Sequence, residues 1–283
     1  MKRALLIGIN YTGTAEQLNG CINDITNINN FLRTSCGYSE TRILTDAPNQ
    51  RPENIPTRSN MENAITTFAK SAKRGETLVF YYSGHGSQIT DRNGDESDGK
   101  DDVLVPLDYK TRSVITDDWL FANLVNVLPE GVTLYAFSDC CHSGSMLDLQ
   151  YNIRCLSTYT KGKPTRNLKY NSADWTNKFT FSTERSKIPK ASVFLFSGCL
   201  DNQTSADAFL ENQSQGAFTH CLLEFLENNT TKNPNGTTTF NTGTVRIVDL
   251  LKELNCVLTI KGFNQRPQLT LADIKDINIR FSL

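Results

Sequence analysis

Short apolar runs alternate along this chain with stretches whose apolar residues recur at helical spacing. RALLIGI leads to GCINDITNINNFLRTS, TRILTD leads to NMENAITTFAKSAK, and ETLVFYYSG follows. Brief apolar runs bounded by polar residues read as strands and a 3.6-residue period reads as a helix, so the alternation predicts an α/β fold with a mainly parallel sheet. The spacing then predicts a helix from about Asp117 to Leu128, stopped by Pro129 and Gly131, before the strand VTLYAFSD. Over residues 150–190 the pattern lapses into polar and basic sequence, expected to be a solvated loop or a linker. Order returns with the strand SVFLFSG, the helix GAFTHCLLEFLEN, the polar loop NNTTKNPNGTTTFNTG, the helix TVRIVDLLKELN and a last strand near QLTLA. There is no internal repeat.

A length of 283 residues suits one domain, with residues 1–150 and 191–283 as its two halves and 151–190 between them. Lys and Arg total 29 against 30 for Asp and Glu, so the net charge of −1 implies no general attraction to nucleic acid or to an anionic membrane. The longest apolar runs fall well short of the ~20 residues of a membrane helix. Eight cysteines could form disulfides, but MKRALLIGINYTG runs straight into a strand-like segment with no secretory h-region. Reduced thiols in a cytoplasmic protein are therefore expected. The N-x-[ST] triplets at Asn10, Asn202 and Asn229 then have no route to glycosylation.

Reactive groups in open parallel sheets gather beyond the carboxyl ends of strands. ETLVFYY runs into SGHGSQ and VTLYAF into SDCCHSG, which sends His85 and the adjacent Cys140 and Cys141 out of two strand ends, toward one cleft. A thiol needs a base to become a nucleophile near neutral pH, and His85 supplies one; the amides of Gly86 and Cys141 could hold an oxyanion. The plainer readings are a histidine that caps a turn and cysteines that serve as small buried hydrophobes, with a strained vicinal disulfide as a third. His142 and His220 have no evident partners and read as structural, and no zinc-type ligand spacing occurs.

YYSGHGS and FSDCCHSGS together resemble the histidine and cysteine signatures of the metacaspases, the caspase-like peptidases of plants, fungi, protists and bacteria. The likeness continues through GINYTGTAEQLNGCINDITNINNFL, DGKDDVLVPLDY, SGCLDNQTSADA, QGAFTHCLLEFL and QRPQLTLA. It implies a caspase-like α/β/α sandwich, its central sheet flanked by helices, in which 1–150 and 191–283 correspond to large- and small-subunit-like halves. It further implies His85 as general base and Cys141 as nucleophile of a cysteine endopeptidase, with Cys140 packed behind. No third, orienting carboxylate is identifiable. The aspartate that lines the primary pocket in metacaspases matches Asp139, and its companions match Cys21, Asp24 and Ser83, which implies protein or peptide substrates cut after Arg or Lys. Charge agrees, because two carboxylates converging on a partly desolvated pocket favour a cationic side chain. Taken singly, Asp24 reads as an exposed helix carboxylate and Asp139 as a loop residue bonded to nearby amides.

The acidic stretch DRNGDESDGKDD, residues 91–102, fits an EF-hand loop at Asp91, Asn93 and Asp95, but Glu96 stands where glycine is needed and Asp102 where a bidentate glutamate belongs. A solvated loop is the ordinary reading. Metacaspases nevertheless often need calcium, and the aspartates that bind it match Asp102, Asp117, Asp118 and Asp148. Four such carboxylates would repel one another until a hard cation joined them, although Asp117 and Asp118 also suit the first turn of a helix. By the same resemblance, the cations Arg154, Lys161, Lys163, Arg166, Lys169, Lys178, Arg185 and Lys187 are sites of self-processing in a monomer of type I arrangement without its prodomain. The competing expectations are a non-enzymatic caspase-like scaffold and a calcium-independent paracaspase-like peptidase.

Overall fold

The computed structural model describes residues 1–283 apart from 92–93, 95–98, 141–143, 184–187, 199–206 and 211–212. Its strands, in chain order, are β1 (Lys2–Gly8), β2 (Glu40–Thr45), β3 (Thr77–Ser83), β4 (Gly86–Thr90), β5 (Lys100–Leu104), β6 (Ile115–Thr116), β7 (Thr133–Asp139) and β8 (Tyr151–Tyr159). They continue with β9 (Trp175–Thr183), β10 (Ser192–Ser197), β11 (Asp207–Leu210), β12 (Gln213–Gly216), β13 (Thr230–Lys232), β14 (Thr238–Phe240) and β15 (Gln268–Leu271). The helices are α1 (Cys21–Ser35), α2 (Arg58–Lys70), α3 (Tyr109–Arg112), α4 (Asp117–Leu120), α5 (Ala217–Asn228) and α6 (Ile247–Lys261).

Eight strands form one sheet in the order β2-β1-β3-β7-β10-β15-β8-β9. From β2 to β10 all neighbours are parallel; β15, β8 and β9 then join by antiparallel ladders. The central strands are continuous apolar runs because both their faces are covered. In β3, Val79 and Tyr81 enter one core while Leu78, Phe80 and Tyr82 enter the other, and β7 divides Tyr135 and Phe137 from Leu134 and Ala136 in the same way. The first core is closed by α1, α5 and α6, the second by α2 and the chain around Leu120 to Leu128. The fold is thus the expected α/β sandwich, with a mainly parallel sheet flanked by helices.

Local chemistry explains most element ends. The Thr57 hydroxyl caps α2 by accepting from the Asn60 N–H at 3.3 Å, and the Thr116 hydroxyl caps α4 by accepting from the Trp119 N–H at 3.2 Å. The helix expected from Asp117 to Leu128 is shorter: α4 passes at once into a π turn over Phe121–Val125. The wider turn sets Phe121, Leu124 and Val125 all into the core. In the other direction, α6 runs past the expected stop at Asn255 because Cys256, Val257, Leu258 and Ile260 continue its buried stripe; it ends where Gly262 takes φ +83°.

Two polar tracts are more ordered than the sequence suggests. Residues 150–190, expected to be a loop or linker, carry the nine-residue strands β8 and β9, which pair with each other and extend the sheet. Their outer face is solvated, so polar side chains mask the inward Ile153, Cys155 and Trp175. The polar loop after α5 holds the hairpin β13–β14, turned at Asn235–Gly236 with Gly236 at φ +83°. A separate small sheet, β4-β5-β6, stands beyond the end of β3.

Candidate active site

The parallel pairing of β3 with β7 sets Ser83 directly opposite Asp139. His85 follows Ser83 by two residues, and Cys141 follows Asp139 by two. Cys141 and His142 lie outside the described residues, as do Asn93, Asp95, Glu96, Arg185, Lys187 and Asn202. The two strand ends are neighbours, which is the arrangement the sequence implied.

His85 is half-buried in the turn between β3 and β4. Its Nε2 lies 2.6 Å from the Glu16 carbonyl oxygen. A carbonyl only accepts, so this contact places the ring proton on Nε2 and leaves Nδ1 as the basic nitrogen. The orienting group that no side chain in the sequence supplied is therefore a backbone oxygen from a distant loop. Gly86 begins β4 opposite Leu104.

Cys140 is buried, with Sγ 3.1 Å from the Ser138 hydroxyl, in the core shared with Leu134 and Ala136. Of the two adjacent thiols, this one is a packing residue. His220 is likewise buried, on α5, where it lines a polar cavity of about 570 Å³ with Asn27 and Gln215.

Beneath the strand ends lie two buried carboxylates. Asp24 is 1% exposed and Asp139 4% exposed, so neither is the surface or loop carboxylate of the plainer reading. The Ser83 hydroxyl donates to Asp24 Oδ2 at 2.7 Å, and the Gly216 N–H donates to Asp24 Oδ1 at 3.0 Å. Asp139 Oδ2 accepts from both the N–H and the hydroxyl of Thr219, at 2.9 and 2.7 Å. Cys21, the fourth residue of the expected set, is buried at the first turn of α1. Sequence reasoning missed Gly216 and Thr219, which arrive from the other half of the chain. A β-carbon on Gly216 would collide with the Asp139 carboxylate and come within 2.9 Å of Asp24 Oδ2, so that position lies between the two acids. Burial, and then the charges of Asp139 and Asp24, push the Tyr81 hydroxyl well above its ordinary value.

Of the second group of acids, Asp102 lies on β5, Asp117 and Asp118 open α4, and Asp148 closes a turn. Asp117 accepts from the Asp102 and Asp118 N–H groups at 2.7 and 2.9 Å. Asp102 accepts from Gln88 Nε2 at 3.0 Å and from the Ser145 N–H and hydroxyl at 3.2 and 2.9 Å. The Asp148 N–H in turn donates to the Ser145 carbonyl at 2.6 Å, and Asp148 holds φ +46°. Burial pushes the Asp117 carboxyl up to about 8, the charges of Asp102 and Asp101 adding to it and the backbone donors opposing. All-oxygen donors suit a hard cation such as calcium, and a positive ion would relieve this burial. Among the described residues no three acidic, histidine or cysteine groups close on one point as a metal cage. Of the EF-hand-like positions, Asp91 accepts from the Gly94 N–H at 2.9 Å, an ordinary turn.

Comparison with known proteins matches residues 2–150 to the model of the metacaspase, peptidase C14 domain. The chain is 36% identical to Metacaspase-1 of Debaryomyces hansenii, with 99% of this chain and 67% of that protein aligned. It is 35% identical to Metacaspase-1 of Candida glabrata, covering 99% of this chain and 75% of the relative. Among solved structures, protein GSU0716 from Geobacter sulfurreducens superposes with a TM-score of 0.63 at 24% identity, over 100% of this chain and 99% of that one.

Proposed function

The chain belongs to the metacaspase family of C14 cysteine-type peptidases, and on that footing we propose that it is a calcium-dependent endopeptidase cutting after Arg or Lys through Cys141 and His85. The observation that carries this reading is the Ser83–Asp139 pairing, which sets the histidine-bearing and cysteine-bearing strand ends side by side over two buried carboxylates.

In the reaction, the thiol proton of Cys141 passes to His85 Nδ1 and the thiolate attacks the scissile carbonyl. The N–H groups of Gly86 and Cys141 are assigned to the developing oxyanion. The imidazolium returns its proton to the leaving amine as the C–N bond breaks, and water, deprotonated by the same ring, releases the acyl group. The Glu16 carbonyl keeps Nε2 protonated throughout. A guanidinium or ammonium in the pocket would lie between Asp24 and Asp139, with Cys21 and Ser83 beside it.

Asp102, Asp117, Asp118 and Asp148 are the residues assigned to calcium, whose charge would offset the burial of Asp102, Asp117 and Asp148. Self-processing is assigned to the connection between β8 and β9, where Lys161, Lys163 and Lys169 are exposed or half-exposed together with Arg166, whereas Arg154 and Lys178 lie inside paired strands. Among the described residues no helix is long and apolar enough to cross a membrane. We place the enzyme in the cytoplasm as a monomer.

Fluorogenic peptides ending in Arg, Lys or Asp test the reading. Arg and Lys peptides should be hydrolysed only with calcium, and Cys141→Ala should be inert but folded. Turnover of the Asp peptide alone would overturn the pocket assignment, and activity indifferent to chelation would overturn the calcium assignment.

A further inference from the structure

His85 occupies a turn, where its backbone has no full ladder to hold it. Buried backbone groups must find partners, and here both come chiefly from two phenols. The His85 N–H donates to the Tyr11 hydroxyl at 3.0 Å, and the Tyr82 hydroxyl donates to the His85 carbonyl at 2.7 Å, a carbonyl that also accepts from the Val105 N–H at 3.2 Å. The proton inventory is consistent: Tyr11 spends its own hydroxyl proton on the Val105 carbonyl at 2.6 Å, which leaves its oxygen free to accept from His85. The two hydroxyl oxygens are 3.2 Å apart.

Neither phenol has freedom to move. Tyr11 and Tyr82 are 1% and 0% exposed. Tyr82 is fixed within β3, and Tyr11 is held at φ +51°, a backbone conformation few residues other than glycine adopt. The space between them and the chain is filled: a β-carbon on Gly84 would come within 2.8 Å of the Tyr82 hydroxyl and 3.2 Å of the Tyr11 hydroxyl. Burial pushes both hydroxyls well above their ordinary range, so they remain neutral donors and acceptors at any working pH. Tyr11 acts a second time, since its ring lies 4.6 Å from the imidazole with a 38° tilt. The residue that fixes the backbone of His85 thus also bears on its ring plane.

We propose that Tyr11 and Tyr82 are positioning residues for catalysis, a pair of buried hydroxyls that clamp the backbone of His85 and so set the place from which its imidazole meets Cys141. The proposal rests on His85 being the general base. Proton transfer is sensitive to small displacements, so loosening the clamp should lower the chemical step and leave substrate binding alone.

Tyr11→Phe and Tyr82→Phe keep ring and volume and remove only the hydroxyl. Each should lower kcat on an Arg peptide ~10- to 100-fold with KM unchanged. The double variant should lose little more than either single one, because the two hydroxyls hold one group. The rise with pH of iodoacetamide alkylation at Cys141 should move to higher pH as the imidazole loses its station. Tyr135→Phe is the control: that buried hydroxyl accepts from the Ser282 N–H at 3.2 Å and touches no part of the site, so its loss should alter the melting temperature and not kcat. On the unaltered protein, the His85 amide should resist hydrogen exchange although it lies in a turn, and rapid exchange there would refute the clamp without any variant. Full kcat in both phenylalanine variants, with His85→Ala inert, would overturn the clamp alone. An active His85→Ala would overturn the general-base reading beneath it.

Discussion

At Gly216 the missing side chain is what lets the backbone lie against both buried acids. The backbone N–H serves Asp24, while the place a side chain would take is filled by the carboxylates of Asp139 and Asp24. Gly216→Ala should therefore lower the melting temperature and cost at least ~100-fold in kcat/KM on Arg and Lys peptides, since the added methyl must push the Asp139 carboxylate off its place beside Thr219. Glu253 offers a test of charge remote from the site. Burial, and then the negative Glu224, push its carboxyl up to about 7. The folded protein thus holds this proton more tightly than the unfolded chain, so the contribution to stability is full below about pH 4 and is lost as pH rises through about 7. Glu253→Gln should raise the melting temperature at pH 8 and have little effect at pH 4; discounted for its partial exposure, the gain is roughly 1–2 kcal/mol. Residues of this scale differ in how openly the sequence announces them. Asp24 is reached only through the likeness of its motif, since taken singly it reads as an exposed helix carboxylate, whereas in the fold it lies in the buried stripe of α1 with Cys21, Ile25 and Ile28. The Glu16 carbonyl has no side-chain signature, and Thr219 becomes a partner of Asp139 only once β10 and α5 are docked.

Among the elements, the central strands were readable because two cores demand apolar residues at successive positions in the middle of β1, β3, β7 and β10. β8 and β9 were not, because only alternate residues face α6 and the rest meet water. Their anchor is Trp175, which packs with Cys256 and Ile260 in a small cluster of its own. Trp175→Ala should destabilise the fold by about 3–5 kcal/mol through the cavity it leaves, while kcat measured below the new melting temperature stays unchanged. The end of α6 makes a smaller test: Gly262 at φ +83° is in the left-handed region, and Gly262→Ala should lower stability by about 1 kcal/mol.

Over the whole molecule, the site draws on both halves of the chain: Asp24, Ser83 and Asp139 come from the first, Gly216 and Thr219 from the second. This long-range meeting is the part no local pattern encodes, and it depends on β10 lying against β7. Limited trypsin digestion should cut first in the 160–171 connection and spare Arg154 and Lys178, which ladder hydrogen bonds protect. The strand order then carries a consequence for any such cut. A break after Tyr159 and before Trp175 leaves β7 and β8 on one fragment and β9, β10 and β15 on the other, yet in the sheet these strands interleave. The nicked enzyme should elute at the parent volume and come apart only in denaturant, a non-covalent heterodimer in which neither piece can depart without unzipping three ladders.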